Sequence, residues 1–418
     1  MFCCCSTTAR RAGFTLVELL VSSAIAVSVI AAVASIFAVF ARTASNSQAI
    51  VDMSGRLRAA SNLLRQDLLG ATAPLTPPLA AESGAGYFEI IEGPASDAFR
   101  IAGSSRVVIT GTDSIQGDVD DVLRFTTQSA TPFLGRFAAA QIESPVAEVV
   151  WSCVPAPYQP VPGLVLRNLY RRQFLVFGHV GVSPFVDNVL TGSSLPAAYD
   201  SFDLSLRADP RAANALVPNS LVDVMRRENR APAGLVFSSA SGRQGEDIVL
   251  TNVIGFDVLV FDPDAVPRQG VAGANQPAIY PHEQGYSTLT ISGSARGGFI
   301  DLGCLVGTAV APTILSGTGA TNSGLAKTTV TGTATYDTWT TSRELDAVND
   351  DGDSLTDEGA DGADIAGVGI VGLPDDEDEQ ERPAPYAKPL RAIEIRIRCY
   401  DSTSREVRQV SVRHQFMN

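Results

Sequence analysis

Residues 14–41 form a run of apolar and small residues broken by a single charge, Glu18. At ~1.5 Å per residue, a helix of this length exceeds a bilayer core of ~30 Å. The pattern then changes without a break. From 42 to 70 there is no proline, and Ile50, Met53, Leu57, Ala60, Leu64 and Leu68 recur at steps of three or four, the stripe of an amphipathic helix. Arg56, Arg58, Arg65 and Asp67 are assigned to the opposite face. Gly70 is the expected C-terminal cap, and Pro74, Pro77 and Pro78 forbid continuation. The two segments predict one helix over 14–70, roughly 85 Å long, softened locally at Gly55.

Beyond Pro78 the period falls to two. Short alternating or apolar runs at 87–91, 99–102, 106–110, 122–127, 147–153, 169–177, 247–251, 255–261, 288–292 and 391–400 read as strands separated by Gly, Pro and Asp. The last is the clearest. Ile393, Ile395, Ile397 and Cys399 alternate with Glu394, Arg396 and Arg398, and residues 402–405 can turn the chain into 407–416, giving an antiparallel hairpin with one buried face. The expected fold class is α+β: one long N-terminal helix, transmembrane and then amphipathic, followed by a mostly antiparallel β-sheet globular domain. Long insertions or a second sheet are expected at 195–232 and 307–335.

Glu18 is the informative charge, because a carboxylate inside hydrocarbon is unfavourable by roughly 2.5 kcal/mol or more and asks for a partner. It follows Arg10, Arg11, Gly13 and Phe14. This arrangement, with Thr15 and Leu16 between, resembles the class III signal of type IV pilins and type II secretion pseudopilins. The resemblance implies a leader of residues 1–13, cleavage by a prepilin peptidase after Gly13, and N-methylation of Phe14. It also implies that Glu18 pairs with the amino terminus of a neighbouring subunit during assembly. Residues 14–41 would then be the transmembrane and filament-core helix, 42–70 its amphipathic continuation and 71–418 the extracytoplasmic head. Arg56-Leu57-Arg58 through Asp67-Leu68-Leu69 is similar to the helix end of the J-type minor pseudopilin and of PilW-like minor pilins. Two plainer readings of the amino end stand beside it. One is a secretory signal peptide cut near Ala32-Val33-Ala34, and the other is a simple single-pass anchor. In all three, Arg10 and Arg11 hold the amino end in the cytoplasm.

The chain has 418 residues, 31 Lys and Arg, 45 Asp and Glu, and no second uncharged run long enough to span a membrane. Loss of residues 1–13 leaves 29 basic residues against 45 acids, a net charge of −16 that repels nucleic-acid phosphates; no nucleic-acid partner is expected. Cys153, Cys304 and Cys399 remain, enough for one disulfide in any of three pairings, or for none. Fifteen acids and no Lys or Arg fall within 344–381. The first part of that loop resembles the Asp-rich calcium loops of dockerin and thrombospondin type 3 repeats. Asn349, Asp351, Asp353, the Leu355 carbonyl and Asp357 take positions one, three, five, seven and nine, and Glu358 or Asp361 can close the shell. Ser354 at the sixth position and Ala360 at the twelfth depart from the pattern, and a solvated acidic loop is the alternative.

The sequence contains no HExxH, GxSxG or CxxC motif and no phosphate-binding Gly loop joined to Lys, so neither an enzyme nor an organic cofactor is expected. Asp118, Asp120 and Asp121 cluster before a strand, which is weak support for acid–base chemistry. The expected function is that of a structural minor pseudopilin or minor pilin. Its implied partners are prepilin peptidase, other pilins or pseudopilins, and an inner-membrane assembly platform. It would be stored in the inner membrane as a single-pass protein, then move into a periplasmic pseudopilus or extracellular pilus. A membrane-tethered adhesin or calcium-dependent binding protein is the alternative.

Overall fold

The computed structural model describes residues 13, 15–75, 84–93, 116–138, 140–177, 190–209, 215–226, 229–232, 234–238, 241–263, 265, 267–269, 280, 290–291, 297–302, 327–328, 334–338, 390–402 and 404–416. Helix α1 spans Leu16–Leu69 and runs unbroken through Gly55. Met53, Leu57, Ala60, Leu64 and Leu68 are buried, as their spacing requires. Gly70 ends the helix at φ −91°, so it is not a left-handed cap. Its need for glycine comes from close approach. A Cβ at position 70 would lie 2.2 Å from the Gln128 carbonyl oxygen, beside the hydrogen bond that the Gln128 amide donates to the Gly70 carbonyl. Asp67 is a correction to the helical-face assignment: it is buried, on the sheet side.

The strands are β1 (Phe88–Ile91), β2 (Val122–Phe137), β3 (Ala140–Pro155), β4 (Arg167–Leu175), β5 (Leu190–Thr191), β6 (Leu206–Ala208), β7 (Ala215–Pro218) and β8 (Ile248–Asp262). They continue as β9 (Arg268–Gln269), β10 (Thr290–Ile291), β11 (Gly298–Asp301), β12 (Lys327–Thr328), β13 (Ala334–Asp337), β14 (Ala392–Tyr400) and β15 (Val407–Gln415). Among the described residues the main sheet runs β12-β13-β1-β2-β3-β4-β8-β14-β15, with β11 also on β8, and its paired strands are antiparallel. This is the expected α+β arrangement.

Three expectations change in detail. β2 and β3 are each 16 residues long, because their outer halves continue the ladder past an irregularity between Gln128 and Phe133, where Pro132 is accommodated. The separate strands expected at 247–251 and 255–261 are one strand, β8. Asn252 takes φ 58° there and the register against β14 shifts, so the interruption is a bulge and not a turn. The runs at 99–102 and 106–110 lie outside the described residues.

One face of the sheet packs on α1. Leu123, Phe125, Val149, Trp151, Phe256, Val258, Ile393, Ile395 and Ile397 join Leu57, Ala60, Leu64 and Leu68 in a single apolar cluster. The residues 195–232, expected as an insertion, build a second layer on the other face. Helix α2 (Leu195–Ser201) and the three-stranded sheet β5-β7-β6 bury Tyr199, Leu204, Leu206 and Leu216 against Val150, Phe174 and Leu175.

Candidate functional site

At the amino end, Thr15 is the N-cap of α1 and closes a capping box with Glu18. The Glu18 amide donates to Thr15 Oγ1 at 3.3 Å, and Glu18 Oε2 accepts from the Thr15 amide and hydroxyl, both at 3.0 Å. The spacing Thr15-x-x-Glu18 is the sequence signal of this box. Glu18 thus has a local partner, which uses one carboxylate oxygen at the first turn. Every residue of α1 from Leu16 to Gln48 is exposed, with Phe37 at 70% and Phe40 at 68%. It is the one helix among the described residues that is long and apolar enough to cross a membrane. Gly13 is described and Phe14 is not, so the junction between them has no geometry here.

The docked half of α1 begins at Met53 and is anchored at its far end by Asp67. Asp67 Oδ2 accepts from Trp151 Nε1 at 2.9 Å and from Arg171 Nε at 2.7 Å, while Oδ1 accepts from Arg171 Nη2 at 2.7 Å. This planar two-point pairing fixes the helix end relative to β3 and β4. The Asp67 carbonyl also accepts from the Thr127 hydroxyl at 2.8 Å.

Asp118 and Asp121, two of the three acids before β2, sit in a buried cluster with Glu92, while Asp120 is half-buried outside it. One ligand oxygen from each of Glu92, Asp118 and Asp121 lies within 4.8 Å of the others. Two full charges at that separation repel by roughly 3 kcal/mol at an effective dielectric of ~20. Burial raises the Glu92 carboxyl well above its ordinary range, and Asp121, Asp301, Asp118 and Asp257 push it further. Burial and Asp121 do the same to Asp118. Glu92 could not be found from sequence, since 25 residues separate it from Asp118 and only the β1–β2 pairing brings them together.

Cys153 and Cys399 are free thiols. Burial pushes the Cys399 thiol up to about 12, and the Cys153 thiol higher still. They lie on β3 and β14, with β4 and β8 between them in the sheet order. Cys304 and the loop ligands Asn349, Asp351, Asp353, Leu355, Asp357, Glu358 and Asp361 lie outside the described residues.

With the exposed apolar helix and its capped, carboxylate-bearing first turn established, comparison with protein families adds one observation on the amino end. Residues 8–34 match the prokaryotic N-terminal methylation motif. The match includes Arg10, Arg11, Gly13, Phe14 and Glu18, so the motif supports processing by a prepilin peptidase and assembly with other pilins. It also supports anchoring by one helix. Neither the curated proteins nor the solved structures contain a match to the chain. The motif thus speaks for the helix, and the head must be read from its own geometry.

Proposed function

We propose that this chain is a structural minor pilin or minor pseudopilin. It would be held in the inner membrane by α1 with its β-rich head outside the cytoplasm, then extracted into a pilus or a secretion pseudopilus. One observation carries the reading: about 39 Å of uncovered apolar helix, 26 residues at ~1.5 Å each, begins directly after a methylation-motif junction and holds one carboxylate in its first turn. An apolar surface of this length needs lipid or the helices of other subunits to cover it. Glu18 serves both states. In the membrane it caps its own helix start, and in a filament its second oxygen receives the methylated amino group of a neighbour.

The head supplies the rest of a subunit's needs. The docked half of α1, fixed by Asp67, turns helix and sheet into one lever, so a pull on the membrane half moves the head. The acidic loop 344–381 is read, within the same proposal, as a Ca²⁺ loop with Asn349, Asp351, Asp353, the Leu355 carbonyl and Asp357 as ligands.

Glu18→Ala tests the assembly role. Leader cleavage and membrane insertion should be retained, while incorporation into the filament, followed by shearing and immunoblotting, should fall several-fold or more. Wild-type incorporation of that variant would show that Glu18 serves only as a helix cap.

A further inference from the structure

Three chain segments converge behind β1 and β2. Glu92 and Gly93 follow β1, Gly117 to Asp121 precede β2, and Asp301 and Leu302 close β11, with Asp257 of β8 alongside. The backbone holds the arrangement rigidly. The Gly117 amide donates to the Ile254 carbonyl at 2.7 Å, and the Phe256 amide donates to the Asp118 carbonyl at 2.6 Å. Asp121 is oriented by two amides, Gly93 N on Oδ1 at 3.2 Å and Val258 N on Oδ2 at 2.7 Å. Position 93 suits glycine, because a Cβ there would lie 2.7 Å from the Asp120 carbonyl oxygen.

Glu92 supplies a separate observation. Its side chain is 2% exposed; Oε2 accepts from the Leu302 amide at 3.2 Å, but Oε1 is buried with no hydrogen-bond partner. A buried carboxylate oxygen without a donor is strongly unfavourable unless the group is protonated or a cation completes it. The charged groups acting most strongly on Glu92 are Asp121, Asp301, Asp118 and Asp257, all acids. Protons would neutralise these carboxyls one at a time without tying the segments together. A divalent ion serves all three, since oxygens within 4.8 Å of one another lie around a single centre at close to the ~2.3–2.6 Å Ca–O distance.

We propose that Glu92, Asp118 and Asp121 bind one Ca²⁺ in the core of the head, linking the β1 end to the start of β2. An all-oxygen donor set without His or Cys suits a hard cation, and a site assembled from three segments suits the ion that tolerates irregular geometry. The site is separate in sequence from the acidic loop 344–381. Its consequence is structural: bound metal would hold the β1–β2 corner beneath the docked helix, making head stability depend on calcium.

The test uses the full mature chain in detergent, titrated with Ca²⁺ by calorimetry and melted with Ca²⁺ or with chelator. Glu92→Gln keeps an acceptor for the Leu302 amide, and Asp118→Asn keeps one for the Asp120 amide, so both preserve the local backbone bonds. Each should remove one Ca²⁺ from the bound stoichiometry and abolish the part of the Tm rise that depends on it. In chelator each should melt at or above the wild type, because a buried charge has gone. Asp353→Asn with Asp357→Asn in the acidic loop should leave this site intact. In the wild type, amide exchange at Gly93, Val258 and Leu302 should slow at least tenfold with Ca²⁺, a readout that needs no variant to fold. Unchanged stoichiometry in both cluster variants, equal losses of Tm with and without Ca²⁺, or exchange indifferent to Ca²⁺ would each overturn the proposal.

Discussion

Asp67 meets three N–H donors from Trp151 and Arg171 with two oxygens, at the point where the helix must stop and the chain must cross to the sheet. Its side chain and that of Arg171 are almost wholly withdrawn from water, at 3% and 11% exposure. Removing one member of such a pair strands the other. Asp67→Ala should therefore destabilise the head by about 3–5 kcal/mol. Denaturant unfolding followed by tryptophan fluorescence measures this, and a loss below about 1 kcal/mol would show that the pair is replaceable by water. Sequence periodicity misplaced this residue for a physical reason: a helical stripe identifies apolar neighbours, whereas Asp67 is buried by the donors waiting on β3 and β4. Glu18 was legible for the opposite reason, since its significance lies in being the only charge in an apolar run. Glu92 was not legible at all, because its partners are set by strand pairing.

At the scale of elements, α1 was readable almost to the residue. The absence of proline, the three-and-four stripe and Gly70 fixed both its extent and its buried face. The hairpin β14–β15 was equally clear from the alternation at Ile393, Ile395 and Ile397, all fully buried. β2 and β3 run beyond the apolar stretches at 122–127 and 147–153, because Phe133, Phe137 and Ile142 of their outer halves pack against the second layer, a contact that spacing along the chain does not reveal. β8 was read as two strands because a bulge at Asn252 looks like a turn in sequence. Gly70 shows how an element's end depends on a neighbouring strand. Its φ of −91° suits any residue, yet a methyl group would meet the Gln128 carbonyl and the Thr127 hydroxyl at 2.2 and 2.5 Å. Gly70→Ala should lower stability by about 1–3 kcal/mol through displacement of β2 from the helix end. A melting curve identical to the wild type would place the requirement for glycine elsewhere.

On the scale of the whole molecule, the two halves of one helix divide the work. Residues Leu16 to Gln48 are uncovered, apolar as far as Ala41, and the half from Met53 onward is sealed against a sheet that has ten strands among the described residues. The second layer formed by 195–232 thickens the head on the face away from the helix, which leaves the membrane half free of head contacts among the described residues. This division is what a subunit needs if it is to be stored in a bilayer and later withdrawn from it. The central claim concerns the amino end, and it is tested most directly by intact-mass and amino-terminal analysis of the protein purified from its native membrane. The account predicts a chain that has lost residues 1–13 and begins with N-methyl-Phe14. A native terminus at Met1, or one generated near Ser35, would contradict it.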